Sequence, residues 1–428
     1  MVSNNSHEFL DGVPIDWEVK KLVEIAQFEN GKAHEKHIDE DGEYIVVNSK
    51  FISSDGKEYK CSNKNLSPLD KGDITMVMSD VPNGKALAKC FLVNENNKFT
   101  LNQRICSIKA VGVNNEYLYF YLNRNKYYLA FDNGVGQTNL RKNEVLDCPV
   151  LLPPFKEQQK IVAILSSVDE AIEKTEAIIK QTEEAKKGLM QQLLTKGIGH
   201  SKFKKTEVGE IPVGWEVKTF KDLLQEDSII DIQDGNHGNA HPKASDYVSQ
   251  GIPFIMANNL IKGKIDLVNC KFLNKEQTDK LRIGFAVEGD VLLTHKGTIG
   301  RTAIVPRVES YVMLTPQVTY YRVNASRLSN KFLRYFFESN YFQNRLEKLS
   351  AQSTRSYIGI TNQKSLLMVI PTLEEQKEIV KTLETIDEKI VNEGSTLEQL
   401  QILKKGLMQS LLTGKVRVKV DEAEVTQV

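Results

Sequence analysis

Four stretches of this 428-residue chain carry residue types suited to chemistry, and none has the spacing that the chemistry needs. Residues 152–155 read LPPF. An amino-methyltransfer loop of the D/N-P-P-Y/F kind needs a first residue that accepts hydrogen bonds from the target amino group. Leu152 cannot do so, and no glycine-rich cofactor loop follows a strand upstream, so the stretch reads as a linker into a helix. Pro14, Asp16, Glu18 and Lys20 imitate the acid and E-x-K set of a nuclease metal site, but a matching stretch later in the chain has Gly214 in place of Asp16 and keeps the tryptophan. Packing is the better reading there. Gly84 and Lys85 lack the upstream glycine and the following Ser or Thr of a phosphate loop. Asp234, His237 and His241 could ligate a metal, but they lie in the run DGNHGNAH, which reads as a surface loop.

The elements that would position any site come from a repeat. Residues 186–195 read KKGLMQQLLT and residues 404–413 read KKGLMQSLLT, an offset of 218 (404 minus 186). Upstream, Pro153, Glu157, Gln158, Ile161, Val162, Leu165, Asp169, Glu170 and Ile172 recur without a gap as Pro371, Glu375, Gln376, Ile379, Val380, Leu383, Asp387, Glu388 and Ile390. A second echo, GVPIDWEVK from Gly12 and EIPVGWEVK from Glu210, has an offset of 198, so the second module carries about 20 more residues than the first. The order is module, helix, module, helix.

Positions 161, 165, 168, 172, 175, 179, 182, 186, 189 and 193 form a mostly apolar stripe stepping by four and three, and the same stripe runs from 379 to 411. A period of 3.5 residues is a coiled-coil seam, so two long helices that pack on each other are expected. The modules between them hold short Val-, Ile-, Tyr- and Phe-rich runs bounded by Gly, Asn, Asp and Pro, as at 44–47, 74–78, 254–256 and 291–294, with helices expected near 116–124 and 330–344. The expected fold is α+β: two mixed α/β modules at 1–152 and 198–370, helical regions at 153–197 and 371–417, and a frayed tail at 418–428.

Lys plus Arg equals Asp plus Glu at 56 each, so no overall positive field marks a nucleic-acid partner. Five cysteines, odd in number and without a C-x-x-C pair, fit free thiols in a reducing compartment. With no signal-like leader and no apolar run of about 18 residues, a cytoplasmic protein without a membrane partner is expected.

The layout resembles the specificity subunits of type I restriction-modification systems over nearly the whole chain. The resemblance rests on the P-x-x-x-E-Q starts at Pro153 and Pro371 and the LLTKG and LLTGK ends after Leu193 and Leu411. Weaker matches are KGD at 71–73 with EGD at 288–290, LNQR at 101–104 with TPQV at 315–318, and GIPFIMANNL at 251–260. It implies two target recognition domains alternating with two helices joined in an antiparallel pair. It further implies a non-catalytic subunit that reads a bipartite, asymmetric target in double-stranded DNA and docks two methyltransferase subunits and, through them, the restriction and motor subunits. S-adenosylmethionine, ATP and Mg would then belong to those partners, with no cofactor in this chain.

Side chains suited to DNA contact are Asn48, Lys50, Lys85, Arg104, Gln137, Asn139 and Arg141 in the first module. In the second they are Asn258, Asn259, Lys296, Arg301, Gln352, Ser353, Thr354 and Arg355, and the loop DGNHGNAH at 234–241 is also suited to base edges and phosphates. Gln and Asn offer paired donors and acceptors to base edges, and Arg offers a fork of donors. A stand-alone DNA methyltransferase or nuclease is the rival reading, disfavoured by the failed motifs. A coiled-coil scaffold without DNA is a third, disfavoured by two large modules full of strands and loops. Turnover by the purified chain would favour the first rival, and failure to bind DNA even with a methyltransferase partner would favour the second.

The helical stripe generates a prediction. Four residues inserted near Glu183 add about 6 Å of helix and rotate the downstream part by only about 40°. The unread spacer of the DNA target is expected to lengthen by one or two base pairs, at about 3.4 Å each, with both half-sites unchanged. Sequencing the methylated motif in cells carrying the insertion checks it.

Overall fold

The computed structural model describes residues 12–81, 86–132, 134, 136–238, 241–351 and 357–420. The chain forms two units, one of residues 1–176 with 395–428 and one of 177–394.

Unit 1 is built on a four-stranded antiparallel sheet in the order Ala26–Asn30, Ile105–Ala110, Ile74–Val77, Cys90–Leu92. Ile74–Val77 is buried on both faces, as suits its central place and its unbroken apolar run. A three-stranded sheet (Cys61–Ser62, Tyr44–Val47, Phe99–Leu101) adjoins it, and the helix Asn115–Leu122 covers it, capped by the Asn114 side chain on the Tyr117 N–H. Glu18–Lys21 pairs antiparallel with Pro149–Leu152.

Unit 2 repeats this plan. Its four-stranded sheet runs Ile229–Asp234, Val318–Val323, Val291–Thr294, Thr302–Ile304. Glu216–Thr219 pairs with Leu367–Ile370, and helix Asn330–Glu338 covers the sheet. The extra length includes the short strands Tyr247–Val248 and Phe285–Ala286, which extend the second sheet to five strands, and a hairpin, Phe203–Thr206 with Gly209–Pro212, precedes the module. The single helix expected at 330–344 is two. Ser339 adopts an extended conformation; its hydroxyl donates to the Phe336 carbonyl and accepts from the Phe342 N–H, ending one helix and starting Asn340–Ala351.

The long helices span Phe155–Lys196 and Leu373–Leu411, each passing from one unit to the other along the chain. Within unit 1, Glu157 bonds Arg417, just past the second helix, while Asp169 pairs with Lys404 on it, so rising positions on the first helix meet falling positions along the second stretch. Within unit 2, His200 meets Glu375 and Lys186 meets Asp387 at 2.6 Å, the same sense. Ile161 and Leu165 share a core with Leu411 and Leu412, and Leu193 and Leu194 share another with Ile379 and Leu383.

The P-x-x-x-E-Q doublet joins each module to its helix. The Trp17 indole donates to Glu157 at 3.3 Å, and Trp215 donates to Glu375 at 2.8 Å. Gln158 accepts the Asn114 N–H at 2.9 Å and donates to the Pro153 carbonyl at 2.9 Å. Gln376 does the same with the Ser329 N–H and the Pro371 carbonyl, at 2.9 and 3.1 Å. Arg417 forks onto Asp16 and Glu157, and the Val418 N–H also reaches Glu157. The tail, expected to fray from 418, is therefore anchored at Val418 because a buried carboxylate needs its donors; residues 421–428 lie outside the described set.

Glu157 is 2% exposed at its side chain, so Glu157→Ala leaves the indole and the tail without their acceptor. A loss of about 1.5–3 kcal/mol is expected in urea unfolding, with Glu375→Ala costing the same order.

Candidate nucleic-acid interface

Three strand ends meet at one place in each unit. In unit 1 Ala26–Asn30 and Ile74–Val77 finish there and Ile105–Ala110 starts. The Met78 N–H donates to the Arg104 carbonyl at 3.1 Å and the Leu140 N–H to the Met78 carbonyl at 2.7 Å. Thr138–Asn139 pairs with Ser79–Asp80, and Gln137 donates to the Ser79 hydroxyl at 2.6 Å. Asp80 accepts the N–H groups of Val81, Ala86 and Leu87 at 2.8, 2.7 and 3.1 Å, which ties down both sides of the segment containing Lys85.

The same bonds recur in unit 2. The His295 N–H donates to the Gln317 carbonyl and the Ile358 N–H to the His295 carbonyl, both at 2.9 Å, and Lys296 bridges Tyr357. Asn30 stands opposite Cys106 as Asp234 stands opposite Thr319. By these bonds Arg104 corresponds to Gln317, Met78 to His295, Ser79 to Lys296, Asn139 to Tyr357 and Asn30 to Asp234. The sequence match of LNQR with TPQV is therefore one residue out of register: LNQR overlies residues 314–317. Both units rely on a glycine beside this turn, since a Cβ at Gly31 or Gly235 would collide with the carbonyl of Asn102 or Thr315.

Of the residues selected from sequence, the structure brings Arg104, Gln137, Asn139 and Arg141 together at the first strand-end cluster, all exposed. Arg104 takes φ +69° and has no side-chain partner among the described residues; Arg141 is exposed at the start of helix Lys142–Leu146, its backbone N–H donating to Glu144. In unit 2 Lys296 is exposed in the cluster, and exposed Arg301 reaches the Ala257 carbonyl at 3.5 Å. Asn258 is exposed in the short 3-10 turn Ala257–Asn259.

Two assignments need correction. Asn48 caps helix Ser49–Ser53 through its side-chain oxygen, 2.9 Å from the Phe51 N–H. Asn259 is 5% exposed and accepts the Met256 N–H at 3.0 Å, so it holds a turn and does not face outward. The short carboxamide that suits Asn to base edges suits it equally to its own backbone. Lys50 is exposed and pairs with Glu58 at 2.6 Å. Lys85, Gln352, Ser353, Thr354 and Arg355 lie outside the described residues. The sequence reading included Asp234 through its loop but did not single out Asn30, Ser79, His295, Gln317 or Tyr357, which the structure adds to the two clusters. KGD and EGD were the available signal, because Asp73 and Asp290 each open the strand that ends at the cluster.

The motifs with failed spacing have local explanations. Leu152 ends a strand opposite Glu18, and Asp16 belongs to the Arg417 fork. His237 and His241 each meet a backbone carbonyl, of Gly235 and Asn236. Among the described residues no three His, Cys, Asp or Glu side chains are grouped to hold a metal ion, and no helix is long and apolar enough to cross a membrane.

Against known proteins, the family model of the type I restriction modification DNA specificity domain matches residues 14–184 and again 212–401, one match per module and helix. The type I restriction enzyme MjaVIII specificity subunit of Methanocaldococcus jannaschii is 29% identical over 95% of this chain and 94% of its own length. The EcoBI specificity subunit of Escherichia coli is 24% identical over 67% of this chain and 62% of its own. Among solved structures, the S subunit of a type I restriction-modification system from M. genitalium aligns with TM-score 0.56 at 12% identity, over 96% of this chain and 98% of its own. A chain from a study of complex assembly and conformational transition in the type I R-M system aligns with TM-score 0.58 at 18% identity, over 94% and 99%. The duplicated module and helix, with the same internal bonds in each copy, thus place this chain in the family of type I restriction-modification DNA specificity subunits.

Proposed function

We propose that each unit reads one half of a bipartite, asymmetric target in double-stranded DNA and that the strand-end clusters are the reading surfaces. One observation carries this. Positions equivalent by hydrogen bonding hold different side chains in the two units, with Arg104 against Gln317, Ser79 against Lys296 and Asn139 against Tyr357, while the scaffold bonds beneath them are the same. Side chains that differ on matched scaffolds suit two different sequences, because bases are told apart by the donors and acceptors on their edges.

In this reading Arg104, Gln137, Asn139 and Arg141 serve the first half-site, with Lys50 and Lys85 as further candidate contacts. Asn258, Lys296 and Arg301 serve the second, together with the 352–355 segment. The subunit is non-catalytic. It docks two methyltransferase subunits and, through them, restriction and motor subunits, and S-adenosylmethionine, ATP and Mg act on those partners. The two long helices pair as an antiparallel coiled coil that carries the units. A chain with no net charge leaves much of the phosphate contact to its partners, and the whole complex works in the cytoplasm.

Exchange of residues 20–150 for those of a relative tests the reading. One half of the methylated motif is expected to change and the other to stay; a motif changed in both halves, or in neither, would overturn it. Arg104 adds a finer test. Arg104→Gly is expected to relax discrimination at one base pair of the first half-site by about 1–3 kcal/mol, the worth of a bidentate contact. Relief of the left-handed backbone should meanwhile leave the thermal midpoint equal or higher, which calorimetry reads.

A further inference from the structure

The second strand-end cluster contains an arrangement absent from the first. Asp234, at the end of its strand, accepts the Thr319 hydroxyl on Oδ1 at 2.7 Å, and no hydrogen bond among the described residues reaches its Oδ2. Behind it lies His295, 2% exposed at its side chain against 14% for Asp234. The His295 Nδ1 is 3.1 Å from the Ile358 carbonyl, so this nitrogen carries the proton and Nε2 keeps a lone pair. That Nε2 points at Asp234 Oδ1 from 3.6 Å and is one of the buried polar atoms without a hydrogen-bond partner. The Tyr357 ring, 42% exposed, lies against the imidazole with centroids 5.5 Å apart and forms one wall. In unit 1 the positions of Asp234 and His295 are held by Asn30 and Met78, so nothing in the shared scaffold requires the pair.

We propose that Asp234, fixed by Thr319 and backed by His295, reads one base of the second half-site by accepting a hydrogen bond from an exocyclic amino group in the major groove. The inference rests on the DNA-reading role proposed above and names the chemistry of one position. A carboxylate only accepts, and in the major groove the donors are the amino groups of adenine N6 and cytosine N4. His295 is a positioning residue: it is too buried to meet a base, and while neutral it leaves Asp234 free to accept. A protonated imidazole would donate to Asp234 and compete with the base.

The groups facing this imidazole set the direction of its titration. Burial depresses its pKa below the ordinary 6.5, outweighing the opposing influence of Asp234 and the Ile358 carbonyl, and Lys296 depresses it further. The ring is therefore neutral at pH 7 and charges only on acidification.

The test uses the full chain assembled with methyltransferase subunits and a library of randomised DNA duplexes. Asp234→Ala, which removes the acceptor, is expected to relax preference at one position of the second half-site by about 10- to 100-fold and to leave the first half-site untouched. At that position, purine in place of adenine, or 2-pyrimidinone in place of cytosine, removes only the amino group. Whichever substitution lowers wild-type binding identifies the base, and the same substitution should cost the Ala variant little. As the pH is lowered below the ordinary imidazole range, wild-type preference at this position should fall while the first half-site holds, and His295→Gln should flatten that profile. Should Asp234→Ala not fold, Thr319→Val, which frees the carboxylate without removing it, is expected to blur the same position. Uniform loss of affinity for all sequences, or unchanged preference at every position, would overturn the inference. If the wild type showed no two-part target at all, the parent reading would fall instead.

Discussion

A buried carboxylate holds each unit together. Glu157 and Glu375, 2% and 12% exposed at their side chains, each sit where the start of a module, the start of its helix and the segment following the other long helix converge, three pieces distant in sequence in unit 1 and two in unit 2. An ionised group out of water must be surrounded by donors or it opposes folding by several kcal/mol. In unit 1 the donors are the Trp17 indole, the Arg417 fork and the Val418 N–H. In unit 2 they are the Trp215 indole, His200 and the Ile198 N–H. The sheets, the covering helices and the strand-end clusters are placed relative to the helices through this group, the neighbouring glutamine and the shared apolar core in each copy.

The helix seam shows a second way of using charge. Lys186 and Lys404 occupy the apolar stripe and read from sequence as flaws in it. Each finds an aspartate of the opposite helix, Asp387 and Asp169, and lies over an aromatic ring of the module helix, Tyr335 at 5.4 Å and Phe120 at 5.7 Å. Burial works to raise the Asp387 pKa, but hydrogen bonds from Lys186 and Tyr335 and the charge of Arg334 leave it below the usual carboxylate value. A polar pair inside an apolar seam favours the one register that satisfies it, at some cost in stability.

Much of this was legible in the chain because duplication writes its own alignment. The helices, their period and the Glu-Gln doublets emerge from two gapless copies, and 44–47 and 291–294 announced their strands by composition. The hidden part depends on main-chain pairing. The loops before the strand-end clusters differ in length between modules, so no ungapped comparison could pair Arg104 with Gln317 or Asn30 with Asp234; only the hydrogen-bond register does. Asn48 and Asn259 misled for a related reason, since a carboxamide that could read a base serves here to satisfy a backbone N–H. The tail at Arg417 gave no local signal, because its partners lie 260 and 401 residues away.

The glutamine of each doublet has a wider consequence. Gln158 and Gln376 grip their modules through a main-chain N–H, at Asn114 or Ser329, and close the grip on the carbonyl of their own helix's leading proline. Every residue except proline presents the same main-chain N–H, so this socket is blind to all other side chains and sees only the path of the backbone. A lineage that shuffles or mutates its modules keeps the attachment for as long as the new segment folds along the same path. Target preference can then drift quickly while the frame that holds it stands still.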